Sequence, residues 1–86
     1  MKLLGRNLLD PIRNLDDETD RWIKSWMSEI VTSTWRMPAD VTKHYPTAHV
    51  EDECHVQFKV ANQMTRVQVA FSFAHGIAII DGLKNV

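Results

Sequence analysis

The sequence predicts a single α+β domain, residues 1–86, in which an antiparallel sheet packs on one face against two to three helices. Two observations support this class. Apolar residues recur with a period of about 3.6 in the first half of the chain and with a period of 2 in the second half. No repeat and no Gly/Ser-rich linker interrupts the 86 residues. We therefore expect a three-stranded C-terminal meander, with a possible further strand at residues 1–5.

The strongest helix signal runs from about Asp16 to Thr32. Apolar residues there lie three and four positions apart, which indicates a wide buried stripe; they are Trp22, Ile23, Trp26, Met27, Ile30 and Val31. Either Asn14 or Asp16 can cap the helix start. The acidic residues that follow are better explained by the positive end of the helix dipole than by a cation site.

Two shorter helical segments flank this long helix. Residues 7–14 have apolar side chains at helical spacing, and we place Pro11 in the first turn, where proline is tolerated. Pro38 suits the first turn of another short helix that reaches His44, and Pro46 ends it.

The period then changes to that of half-buried strands. Three segments alternate or are continuously apolar: Val56–Val60, Val67–Phe73 and Ile77–Ile80. The first two form an antiparallel hairpin connected at Asn62–Gln63, and His75–Gly76 supplies the second tight turn. We expect Gly82 to mark the end of the third strand.

Polar side chains on the hairpin define its outer face. They are His55, Gln57, Lys59, Arg66, Gln68 and Ser72. Lysine and arginine can bind phosphate oxygens, glutamine can hydrogen-bond a sugar or base, and histidine can move protons near neutral pH. The same pattern also suits an antiparallel sheet that simply turns one polar face to water. Both interpretations remain open at this point.

Composition narrows the function classes. Ten Lys+Arg and eleven Asp+Glu give a net charge of −1, which is neither the basic excess typical of nucleic-acid binding nor the acidic surface of a nucleic-acid mimic. No apolar run approaches the roughly 20 residues of a membrane span, and the apolar part of Met1–Arg6 is too short for a secretory signal. We expect a cytoplasmic protein without membrane contact.

Cysteine and histidine chemistry offers no recognisable site at this level. The single Cys54 excludes an internal disulfide and a cysteine-based zinc cluster, and its acidic neighbours should raise its pKa, so we interpret it as a structural thiol. No two of the four histidines have the i, i+4 spacing of a zinc-binding helix. We expect no metal site.

Four strings along the chain carry a family resemblance. They are W-R-M-P-A-D-V at 35–41, Y-P-T-A at 45–48, V-Q-F-K-V at 56–60 and R-V-Q-V-A at 66–70. Together they resemble the HigB branch of the RelE-like toxins, the toxic halves of type II toxin–antitoxin modules. Trp22–Trp26 is similar to the first helix of that family, and Leu3–Arg6 to its opening strand.

The resemblance implies a RelE-like fold and a ribosome-associated mRNA interferase. Such proteins cut mRNA on the ribosome by attack of a ribose 2′-hydroxyl on the adjacent phosphate, without a metal or other cofactor, and a cognate antitoxin binds and silences them, in some cases in an oligomer. Arg66 matches the family arginine and would stabilise the phosphate. His75 or His55 could act in proton transfer, although neither matches a catalytic position of the family; His75 is the catalytic assignment. The expected RNA contacts are Lys59, Gln68, His55 and Lys84.

Departures from the family pattern support an alternative. The two lysines of the family hairpin fall at Ala61 and Met64, and its tyrosine falls at Thr65. Because each lost cation removes a counterion-release contribution to RNA affinity, catalysis is in question. The alternative is a catalytically inactive RelE-like binding module that acts through a protein partner.

Overall fold

A computed structural model of the chain describes residues 1–61 and 64–85. The α-helices are α1 (Asp17–Thr32) and α2 (Pro38–His44), and two 3₁₀ helices span Arg6–Ile12 and Phe73–His75. The strands are β1 (Lys2–Leu4), β2 (His49–Val50), β3 (His55–Lys59), β4 (Thr65–Ser72) and β5 (Ile77–Asn85). The α+β class and the predicted N-terminal strand are confirmed.

The five strands form one sheet in the order β1-β5-β4-β3-β2. The pairs β2–β3, β3–β4 and β4–β5 are antiparallel. The pair β1–β5 is parallel, with Lys2 opposite Ile77 and Leu4 opposite Ile79. The prediction of an antiparallel sheet is therefore wrong at this edge. Parallel neighbours need a long crossover, which the intervening helices and meander supply. Period-2 patterning does not encode strand direction, so the sequence pattern could not reveal it.

Helix α1 begins as the sequence predicts. Asp16 is the N-cap, and its carboxylate accepts a hydrogen bond of 2.7 Å from the Thr19 N–H. The predicted stripe is buried at Ile23, Trp26 and Ile30. Its margin is not, since Val31 is 41% exposed. The stripe is thus narrower than the apolar pattern suggests.

One of the two short helical segments forms as predicted, and the other differs from the prediction. Helix α2 begins at Pro38 and ends at His44, as expected. The earlier segment is a 3₁₀ helix, and Pro11 lies near its end rather than in its first turn. Tight 3₁₀ turns occur mostly in short pieces, so a proline late in a seven-residue segment interrupts little regular helix.

The C-terminal meander forms with the predicted pairing. Phe58 lies opposite Val67 and Val56 opposite Val69. The predicted connection at Asn62–Gln63 lies outside the described residues. Gly76 takes the left-handed conformation, with φ of +64°, in the second turn.

Strand β5 corrects the expected end of the third strand at Gly82. The strand continues to Asn85 because a β-bulge resets its register: Val69 pairs with Ile80, whereas Gln68 pairs with Gly82. Asp81 is the extra residue. Beyond the bulge Leu83 packs against the core.

The core lies between the helices and one face of the sheet. Phe58 is its centre, 1% exposed, and contacts the rings of Trp26, Tyr45 and Phe71 at centroid distances of 5.3, 5.4 and 6.3 Å. The other face of the sheet carries no helix among the described residues. Within the same residues, no helix has the length and apolar character needed to cross a membrane.

Candidate functional site

Three cations lie side by side on the open face of the sheet. Lys59 on β3 is opposite Arg66 on β4, and Arg66 is opposite Lys84 on β5. Directly opposed residues have Cβ atoms about 4.5–5.5 Å apart, so the three side chains leave the sheet within roughly 10 Å. We call these three residues the cationic row. The sequence predicts Arg66 as the phosphate-stabilising residue and Lys59 and Lys84 as RNA contacts, and the structure places the three side by side.

The charges of the cationic row have no carboxylate partner within residues 1–61 and 64–85. Lys59 and Lys84 are exposed, whereas Arg66 on the central strand is half-buried. In the same part of the chain, Nη1 of Arg66 is buried and has no hydrogen-bond partner. A buried donor without an acceptor costs about 1–3 kcal/mol, and more when the group is charged. The exposed ammonium groups of Lys59 and Lys84 can bind an anion at this face.

The next row of the face is polar but only partly available. Gln57 lies opposite Gln68, which lies opposite Gly82. Gln57 is 6% exposed and its amide donates a 2.8 Å hydrogen bond to Glu51. The prediction that Gln57 belongs to an open polar surface is wrong, because a carboxylate from the loop before β3 covers it. Gln68 is half-buried beside the cationic row, where the sequence analysis placed it.

His55 lies on the same face but at the opposite end of β3 from Lys59. Four residues separate the two, which is about 13 Å along the strand. The Nδ1 atom of His55 is 2.9 Å from the Asp52 carboxylate, and this hydrogen bond and charge raise the pKa of the histidine. His55 is thus held by its own loop and does not contact the cationic row.

His75 lies beyond the far end of β4. It belongs to the 3₁₀ helix Phe73–His75, and its Nδ1 atom is 2.8 Å from the Ser72 hydroxyl. Arg66 and Ser72 are six residues apart on one strand, about 20 Å. The structure therefore does not bring Arg66 and His75 to one phosphate.

A second cluster joins three side chains that the sequence analysis did not combine. Asp52 Oδ1 accepts hydrogen bonds from the N–H groups of Cys54 and His55, at 2.9 and 2.8 Å. The Cys54 sulfur lies 3.4 Å from Nδ1 of His55. We call Asp52, Cys54 and His55 the turn cluster. The zinc-binding spacing considered above involves pairs of histidines only. The D-x-C-H spacing, in which an Asp side chain bonds the backbone two residues on, was the available signal.

Contacts within the turn cluster shift the pKa values of its members. The Cys54 N–H and the His55 ring lower the pKa of Asp52 to about 2. Partial desolvation and the neighbouring carboxylates raise the pKa of the Cys54 thiol, which agrees with the direction expected from the sequence. A thiol with a raised pKa is a poor free nucleophile.

No protein-family model matches the chain, and no curated protein matches it significantly.

Proposed function

We propose that this protein binds RNA through the cationic row and is the toxin component of a type II toxin–antitoxin system, similar to HigB-type toxins of the RelE-like superfamily. The observation that carries the proposal is the alignment of Lys59, Arg66 and Lys84 across three strands, with a buried guanidinium nitrogen that has no partner among the described residues. The proposed partners are mRNA on the ribosome and a cognate antitoxin, in the cytoplasm.

The chemistry of the row favours a phosphate backbone over other anions. Arg66 can form paired hydrogen bonds with two oxygens of one phosphate, while the lysines act as point charges on either side. Gln68 lies in the adjacent row, where its amide can hydrogen-bond a sugar or base edge. An open, one-sided sheet gives an extended single strand room to lie across it.

Cleavage demands more than phosphate binding. Attack by a 2′-hydroxyl needs a group that takes its proton and cations that stabilise the crowded phosphate. Arg66 suits the second role, but His75 lies beyond Ser72, which is about 20 Å from Arg66 along the strand. His55 is about 13 Å along β3 from Lys59, the residue opposite Arg66, so neither histidine lies beside the phosphate that Arg66 would bind. This separation favours the second candidate function, a catalytically inactive RelE-like module that acts through a protein partner.

Binding is tested by fluorescence anisotropy with a labelled single-stranded RNA across a salt series. Three phosphate contacts predict a slope of log affinity against log salt of about −2, since each contact on a single strand contributes about 0.7. Lys59→Ala, Arg66→Ala and Lys84→Ala should each reduce this slope by about 0.7. Lys43→Ala, an exposed lysine on α2, is the matched control and should leave it unchanged. Equal losses for Lys43→Ala and the row variants would contradict a localised site.

Toxicity and cleavage are tested by induced expression. Growth arrest with new mRNA 5′ ends on translating ribosomes, both lost in Arg66→Ala, supports the interferase. RNA binding without arrest or cleavage, by a protein shown to be folded, supports the inactive module. Absence of RNA binding by the wild type overturns the interferase, and a pull-down with the wild type that finds no protein partner overturns the inactive module.

A further inference from the structure

The turn cluster has the donor set of a transition-metal site. It offers one sulfur, one imidazole nitrogen and one carboxylate, and these ligand atoms all lie within 4.8 Å of one another. Thiolate, imidazole and carboxylate are the three ligand types that Zn²⁺ uses in proteins. We propose that Asp52, Cys54 and His55 bind one Zn²⁺ ion, independently of the cationic row.

The distances between the ligand atoms fit a tetrahedral ion. Bonds of about 2.0–2.3 Å at tetrahedral angles separate neighbouring ligand atoms by roughly 3.3–3.6 Å. The Cys54 Sγ to His55 Nδ1 distance is 3.4 Å, already in this range. The Asp52 oxygens are each 2.9 Å from Nδ1, so the carboxylate has to move by about half an ångström. A side-chain rotation of the exposed Asp52 supplies this movement.

The backbone holds the ligands close together without the metal. Glu51 donates its N–H to the His55 carbonyl at 2.9 Å, and the Cys54 carbonyl accepts a 2.7 Å hydrogen bond from the Phe71 N–H on β4. The turn is therefore fixed at both sides of the cluster. Glu51 and Asp81 add negative charge near His55, which favours a divalent cation. Since three protein ligands are present, the fourth position is left to water.

A Cys–His–Asp nucleophile is the competing interpretation, and the geometry opposes it. Such a triad needs one ring nitrogen to take the thiol proton while the other is oriented by the carboxylate. Here both Cys54 and Asp52 approach the same atom, Nδ1 of His55. The three ligand atoms lie within 4.8 Å of one another, which suits a shared metal better than a proton relay.

Titration of the full chain with Co²⁺, in a non-thiol reductant, tests the site. One equivalent should produce the visible bands of a tetrahedral centre and a thiolate-to-metal charge-transfer band, and Zn²⁺ should displace the cobalt. Cys54→Ser should abolish the charge-transfer band. It should also weaken Zn²⁺ binding by more than the roughly tenfold loss typical of an outer-shell partner.

Two further variants separate ligation from folding. Asp52→Asn keeps an oxygen that accepts the backbone N–H groups of the turn but loses the charge, so it should weaken Zn²⁺ binding by about tenfold or more while the protein still folds. His75→Ala removes an exposed histidine outside the cluster and should bind Zn²⁺ as the wild type does. A cobalt spectrum without charge transfer, or equal weakening by His75→Ala, would overturn the proposal.

Discussion

A comparison of alanine substitutions at Gly5 and Gly76 tests how the chain packs against β5 as it leaves β1. Both have positive φ, +81° and +64°. A Cβ on Gly5 would lie 2.6 Å from the carbonyl oxygen of Ile80, whereas a Cβ on Gly76 would meet nothing within 4 Å. Alanine at either site pays about 1–2 kcal/mol for the left-handed backbone, offset by about 0.4–1 kcal/mol of lost unfolded-state entropy. Only Gly5→Ala adds an overpacking cost, about 1–3 kcal/mol.

Urea unfolding of both variants measures this difference. Gly76→Ala should lower the free energy of unfolding by about 0–1.6 kcal/mol and Gly5→Ala by about 1–4.6 kcal/mol. With a slope near 1 kcal/mol/M for a small domain, their midpoints should differ by about 1 M or more. Equal midpoints would refute the close approach of Gly5 to Ile80, and with it the packing of the chain that leaves β1 against β5.

Three other substitutions probe the core, a helix cap and a half-buried tyrosine. Phe58→Ala should destabilise by about 3–5 kcal/mol in urea unfolding, because it empties the centre of the aromatic cluster; a loss below 1 kcal/mol would place Phe58 elsewhere. Asp16→Ala should cost about 0.5–2 kcal/mol, since the Thr19 N–H loses its acceptor, while the exposed Asp10→Ala serves as control. Tyr45 donates to Glu29, and burial followed by that carboxylate raises its pKa above the usual 10.0. Folding therefore favours the neutral phenol, and this stabilisation is present below pH 10 and is lost as pH rises above it; Tyr45→Phe should flatten the alkaline part of a Tm–pH profile.

The sequence predicted the elements whose patterning is local. Helix α1 has an acidic cap and an apolar stripe, α2 has its proline, and the strands β3 and β4 alternate strictly, so each was placed within one or two residues. The direction of β1 and the short β2 depend on contacts with distant strands, which no local pattern encodes. Gln57 also depends on a contact outside its own strand. Its position in the alternating pattern predicts exposure, but it is buried beside Glu51 of the preceding loop.

Candidate site residues follow the same division. Lys59 and Arg66 were assigned to one face because both lie on regular strands, and they lie opposite each other. The distance between Arg66 and His75 follows from strand length and a 3₁₀ turn, and so needs the structure. The turn cluster is local in sequence, yet its convergence depends on the rotamers of three neighbouring side chains around one Asp carboxylate.

Lys84 shows how one extra residue decides whether the cationic row exists. With strict alternation from the buried Ile80, Gly82 and Lys84 would face the core and Leu83 would face water. Because Asp81 is the extra residue of the bulge, the alternation of faces shifts by one position after it. Leu83 therefore packs inward and Lys84 pairs with Arg66.

Changes of length in β5 test this account directly. Deleting Asp81 removes the bulge but keeps the pairing of Lys84 with Arg66, so the RNA salt slope should stay near its wild-type value. Inserting one alanine after Gly82 exchanges the faces of Leu83 and Lys84, and the slope should fall by about 0.7, the contribution of one phosphate contact. The insertion should also lower the free energy of unfolding by about 1–3 kcal/mol, since an apolar side chain leaves the core as a charged one approaches it. If the deletion and the insertion reduce the slope equally, Lys84 does not act through the register of β5, and the row must be reduced to Lys59 and Arg66.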